Sequence, residues 1–160
     1  MSLFSNNTFL VVNTVGFLVG MAMFGTITFL PFFLQVVKGV TPTTSGLFLV
    51  PMMGGLLTGS IASGRYMART GRYKRLPVLS TALLAGAMLS LTTLSAASPL
   101  WLIALSMVCV GLGLGPVFSI GVAAIQNAIP RSMMGVGTAS ANMFRLIGGA
   151  VGTASFGALF

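Results

Sequence analysis

The sequence predicts an all-α fold, a polytopic transmembrane helix bundle with five spans, and three observations carry that reading. Of 160 residues, 56 % are hydrophobic and only 5 % are charged, and the mean hydropathy is +1.04. A soluble domain would carry about 25 % charged residues, so too little polar surface exists here to face water, and lipid is the natural solvent. Apolar runs of about 20 residues, the length that crosses a bilayer, recur along the chain with Pro, Gly and charge between them.

The first span is expected over residues 8–37. Lys38-Gly39 closes it, and its length suggests that the part beyond Pro31 kinks or projects. The second, over 43–66, starts behind Pro42, where an early helical position tolerates a missing N–H. The third is expected over 76–96. The fourth, over 99–128, opens on Ser98-Pro99, and Pro116 inside it is a candidate kink. Pro130-Arg131 separates it from the fifth, over 133–160. Met1 to Thr8 has no basic segment and the first apolar run is too long for a signal peptide, so no cleavable leader is expected. An odd number of spans, closing in mid-helix at Phe160, leads to the expectation that the 160 residues are a fragment of a longer bundle.

The charges set an orientation and exclude several functions. All eight are positive, and there is no Asp, Glu or His. Arg65, Arg69, Arg72, Lys74 and Arg75 fall together between the second and third spans, as a cytoplasmic loop over 65–75 does under the positive-inside rule. Adding Arg131 on that side, against Lys38 on the other, predicts a cytoplasmic N-terminus and an outside C-terminus in a cell membrane. The same distribution argues against nucleic-acid binding. General acid–base catalysis near neutral pH relies mostly on His, Asp or Glu, and a metal site on clusters of His, Cys or carboxylates. With neither, no catalytic residue, metal or cofactor is expected, and the chain does not read as an enzyme. Cys109, alone in an apolar run, reads as a packing residue.

Small residues at helical spacing mark candidate helix-packing faces: Gly16 and Gly20, Gly55 and Gly59, Gly111 and Gly115, Gly148 and Gly152. They let backbones approach where lipid offers no hydrophobic gain. Such seams serve static packing or the rocking of alternating access. Polar side chains within spans are the pointers to a pathway. Asn13, Gln35, Gln126, Asn127, Asn142 and Arg145 are the candidate cavity-lining residues. Thr138, Asn142, Arg145, Gly149 and Gly152 share one helical face. Arg145 lies about 18 Å along the fifth helix, and the chain holds no carboxylate side chain to neutralise it. It faces a watery cavity, or meets a carboxylate on another segment, or snorkels to the interface.

The stretch Gly64-Arg-Tyr-Met-Ala-Arg-Thr-Gly71-Arg-Tyr-Lys-Arg75 resembles the basic loop motif between the second and third helices of each half in the major facilitator superfamily. Phe29-Leu-Pro-Phe-Phe-Leu-Gln35, Pro42-Thr-Thr-Ser-Gly-Leu-Phe-Leu-Val-Pro51, Gln126-Asn-Ala-Ile-Pro130 and Phe144-Arg-Leu-Ile-Gly-Gly149 are similar to the ninth, tenth, twelfth and thirteenth helices of its fourteen-helix drug:proton antiporter branch. Ala68 stands where the motif often has an acidic residue, and Leu146 where a second polar residue often follows the Arg.

The resemblance implies a partial C-terminal transporter domain over 1–160, with Gly64, Arg65, Arg69, Gly71 and Arg72 as the cytoplasmic gate motif. It implies export of amphipathic small molecules by alternating access, proton-coupled only in an intact protein that supplies the carboxylates. The expected partners are the lipid bilayer, such substrates, and an N-terminal transporter half or another membrane protein. A second reading is a non-transporting membrane module that packs against another transporter.

Overall fold

The computed structural model describes residues 7–71, 76–93, 98–129 and 131–159, and among them every regular element is helical. Six α-helices follow one another: α1 Asn7–Lys38, α2 Pro42–Leu47, α3 Leu49–Thr70, α4 Leu76–Thr92, α5 Leu100–Ala128 and α6 Met134–Leu159. A 3-10 turn, Arg131–Met133, precedes α6.

Helix ends follow local chemistry. α1 runs unbroken through Pro31 and stops at Lys38, because Gly39 adopts φ +64°, a left-handed conformation that only glycine takes at little cost. Thr41 then caps α2. Its side-chain oxygen accepts from the Thr44 N–H, with Pro42 at the first helical position. The second expected span is interrupted at Phe48, between α2 and α3, and continues to Thr70 rather than ending at residue 66. Gly71 stops it, with φ 62° and its N–H donating to the Met67 carbonyl. The expected loop is therefore helical over residues 65–70. Arg69 in the last turn suits the negative end of the helix dipole. Arg72, Lys74 and Arg75 lie outside the described residues, as does Pro130.

Among the described residues, three stretches are long and apolar enough to cross a membrane: Asn7–Lys38, Pro42–Thr70 and Leu100–Asn127. α4 is apolar but 17 residues long. α6 has 26 residues, enough length, yet its Gly, Ser, Thr, Asn142 and Arg145 dilute its hydropathy below that of the other three.

The backbone divides into two compact units, Phe29–Ile120 and the pair Met1–Thr28 with Gly121–Phe160, so the division falls inside α1 and α5. In the first unit α3 packs on α5 through glycines. Gly111 abuts the backbone of Met52 and Leu56, Gly115 that of Leu56 and Ser60, and Gly55 that of Val108. Residue numbers rise together along the contact, so α3 and α5 run parallel. Further along the seam, Ser63 Oγ and Ser119 Oγ share a hydrogen bond of 2.7 Å. α4 meets α5 in the opposite sense. Leu84 lies at Gly113, whereas Ser90 Oγ donates to Ser106 Oγ at 3.3 Å. Antiparallel neighbours in sequence and parallel next-nearest neighbours are what consecutive crossings of one slab produce.

In the second unit the N-terminal part of α1 lies along α6. Gly20 abuts Arg145, Phe17 abuts Gly148 and Met21 abuts Gly152, again with numbers rising together. Phe9, Ile125 and Ile129 form a buried cluster at one end, with Val12 and Ala141 packed on it.

Candidate functional site

The strongest polar feature within an apolar helix is on α6. Arg145 lies eleven residues past Met134, about 17 Å along a helix of about 39 Å. Its Nη2 donates to Asn142 Oδ1 at 2.8 Å. Three residues apart on one helix, the two side chains are natural neighbours. Asn142 is exposed and Arg145 half-buried.

Glycines fix the position of this pair. The main-chain carbon and oxygen of Arg145 press on Gly20, where any Cβ would collide with them, and Gly152 holds the same relation to Met21 at 2.7 Å. Gly148 sits on the Phe17 carbonyl, and Gly149 on the Phe24 ring. Gly16 is looser, with the Ala141 oxygen 3.9 Å from where its Cβ would be. The face shared by Asn142, Arg145, Gly149 and Gly152 is thus divided in use. Its glycines are buried against α1, while the Asn142 and Arg145 side chains emerge at the margin of that seam.

The other candidate cavity residues sit in separate settings. Asn13 is 3 % exposed on α1. Its Nδ2 donates to the Phe9 carbonyl at 2.7 Å, and its Oδ1 is buried without a hydrogen-bond partner. Gln126 and Asn127 are exposed at the end of α5. Gln35 belongs to the other unit, where its Nε2 donates to Ser45 Oγ at 2.9 Å. Ser45 Oγ in turn donates to the Pro42 carbonyl at 2.8 Å. Lys38 donates to the Ser98 carbonyl, which ties the end of α1 to the residue before Pro99 and α5. That tie has no sequence signature, because a carbonyl acceptor can be any residue.

Gly64, Arg65 and Arg69 lie on the last two turns of α3 and Gly71 is its left-handed cap; Arg72 is outside the described residues. Arg65 and Arg69 extend the exposed row Met53, Leu57, Ile61 at four-residue spacing. Gly55, Gly59 and Ser63 are buried on another face of α3. The row changes from apolar to basic at its end, as a helix does where it leaves hydrocarbon for water. No group of three metal-ligating side chains occurs among the described residues.

Comparison with known proteins gives the family. The family model for the Major Facilitator Superfamily matches residues 1–153. The chain is similar to a tetracycline resistance determinant of Streptomyces rimosus, 36 % identical over 154 residues that make up 96 % of this chain and 44 % of the relative. An MFS-type transporter of Mycobacterium tuberculosis is 40 % identical over 158 residues, 99 % of this chain and 23 % of its own. The multidrug transporter protein MdtP of Bacillus subtilis is 36 % identical over 159 residues, 99 % of this chain and 29 % of its own. The chain thus spans less than half the length of each of these relatives. Its apolar helices suit a lipid bilayer, its relatives are transporters rather than enzymes, and with the family model covering nearly every residue, this multi-pass membrane chain belongs to the Major Facilitator Superfamily.

Proposed function

We propose that the chain forms part of a drug efflux transporter that exports amphipathic small molecules by alternating access. The observation that carries the reading is the Asn142–Arg145 pair. A cation and an amide stand together in mid-helix of a membrane protein, beside a seam of glycines that holds their backbone in place. A polar pair at that depth costs free energy unless it faces a cavity, a ligand or a partner. The similarity to drug-resistance transporters supports export as the direction of use.

In this reading five helical segments cross the membrane, with α2 and α3 forming one crossing and the N-terminus inside. The antiparallel α4 and α5 and the parallel pairs α3–α5 and α1–α6 support that order. Gly64, Arg65, Arg69, Gly71 and Arg72 belong to the cytoplasmic gate. The rest of the transporter, or another membrane protein, faces the Asn142–Arg145 surface. Proton coupling, if the whole protein has it, requires a group that titrates between the two sides, and Asp, Glu and His are absent here. Coupling carboxylates therefore belong to residues outside these 160.

The experiment is an accumulation assay in cells stripped of their own pumps, with the neutral amphipath Nile red and the protein at its native length. Lower accumulation on expression, reversed by Gly20→Leu, is the expected result. Unchanged accumulation with the protein present in the membrane overturns the proposal.

A further inference from the structure

From the chemistry of the Asn142–Arg145 corner we infer that it binds an oxyanion, so this surface selects amphipathic cargo bearing a carboxylate, enolate or phenolate over cargo bearing a permanent cation. The inference rests on the transporter reading above and names the substrate class for the surface that this chain contributes.

Guanidinium has N–H donors and no acceptor. The side-chain acceptor of Asn142, Oδ1, receives Arg145 Nη2 at 2.8 Å, which leaves the two amide N–H groups as the donors of Asn142. Two neighbouring residues thus present donors. A cationic ligand needs the opposite, a carboxylate or an open acceptor, and no Asp or Glu occurs anywhere in the chain. In a medium of low dielectric the preference is strengthened, because charge contacts there are screened far less than in water.

The surroundings match a ligand with an apolar body. Met143 and Leu146, sequence neighbours of Asn142 and Arg145, are 51 % and 57 % exposed. Met is an adaptable contact for varied apolar shapes. The corner is also held in place, because Gly20 seats the Arg145 backbone, and a donor fixed before binding loses less entropy when the ligand arrives. A carboxylate on another helix offers the same oxygens as a ligand does, and the experiment separates the two sources.

The protein at its native length, in lipid nanodiscs at pH 7.5, is titrated with three dansyl probes. They differ in one group: a carboxylate in dansylglycine, a carboxamide in its amide, a quaternary ammonium in the third. The carboxylate probe is expected to bind most tightly. Arg145→Gln should weaken it about tenfold or more, the scale of a charge-assisted hydrogen bond, and leave the ammonium probe unchanged or tighter. Arg145→Lys keeps the charge without the planar fork and should fall between the two, which separates lost charge from lost folding. Asn142→Ala should weaken the carboxylate probe by a smaller factor. Equal affinity of the wild type for all three probes overturns the inference without any variant. So does an equal loss of all three in Arg145→Gln. If a helix carboxylate already fills the corner, Arg145→Gln lowers the melting temperature and leaves probe discrimination unchanged, which also overturns it. Discrimination without efflux refutes the transporter reading alone; efflux without discrimination refutes the oxyanion site alone.

Discussion

Gly20 on α1 lies directly against the main-chain carbonyl of Arg145 on α6, with no room for a side chain between the two backbones. One turn earlier on the same helix, Gly16 has the Ala141 oxygen at 3.9 Å from its Cβ position, an ordinary contact. The pair forms an internal comparison within one seam. Gly20→Ala is expected to cost about 1–3 kcal/mol through overpacking. Gly16→Ala is expected to be near neutral. Thermal unfolding followed by size-exclusion fluorescence checks both, and equal melting temperatures for the two variants would contradict the contact geometry.

The α3–α5 seam gives a second comparison. A Cβ on Gly111 would collide with the Met52 carbonyl and stand 2.8 Å from the Leu56 amide nitrogen. Gly54, exposed on α3, has nothing within 4 Å. Gly111→Ala should therefore destabilise by about 1–3 kcal/mol, whereas Gly54→Ala should stabilise by about 0.5–1 kcal/mol, the ordinary helical preference for Ala over Gly. The same melting assay reads both signs.

Ser63 and Ser119 join α3 to α5 by one hydroxyl contact of 2.7 Å. Hydrogen bonds between membrane helices average about 0.6 kcal/mol in double-mutant cycles. Ser63→Ala, Ser119→Ala and the double variant should yield a coupling energy of that size. A coupling indistinguishable from zero would mean that the two hydroxyls are satisfied by their own helices. Each already bonds a carbonyl one turn back, at Ser60 and Pro116.

Gly71 ends α3 at φ 62°. Gly71→Ala should cost about 1–2 kcal/mol of local stability, the left-handed penalty of an L-residue. Gly71→Asn should be milder, because Asn tolerates that conformation better. Backbone hydrogen exchange across residues 66–70 reads the difference as faster exchange in the Ala variant.

Much of this was legible in the sequence because the signals are local. Lys38-Gly39 and Pro42 are the punctuation that a helix end and a helix start require, and α1 stops and α2 starts at them. The glycine spacing likewise reports which faces come close. Two things were not legible. One is the extent of α3: five basic residues in a short stretch read as a loop, although Arg is a good helix former and the glycine that stops the helix stands only at residue 71. The partners of polar side chains were also hidden. Arg145 and Asn142 share a face by spacing alone, but whether Asn13 meets a neighbour or bonds its own helix depends on tertiary packing. Asn13 bonds Phe9, and Gln35 reaches Ser45 in a different helix.

Cargo selection at Asn142–Arg145 is the central claim, and efflux of the matched dansyl probes from proteoliposomes tests it most directly. The account predicts faster export of the carboxylate probe than of the ammonium probe, with the order lost in Arg145→Gln while the neutral carboxamide is still exported. Export of the ammonium probe at the higher rate, unchanged by Arg145→Gln, would contradict it.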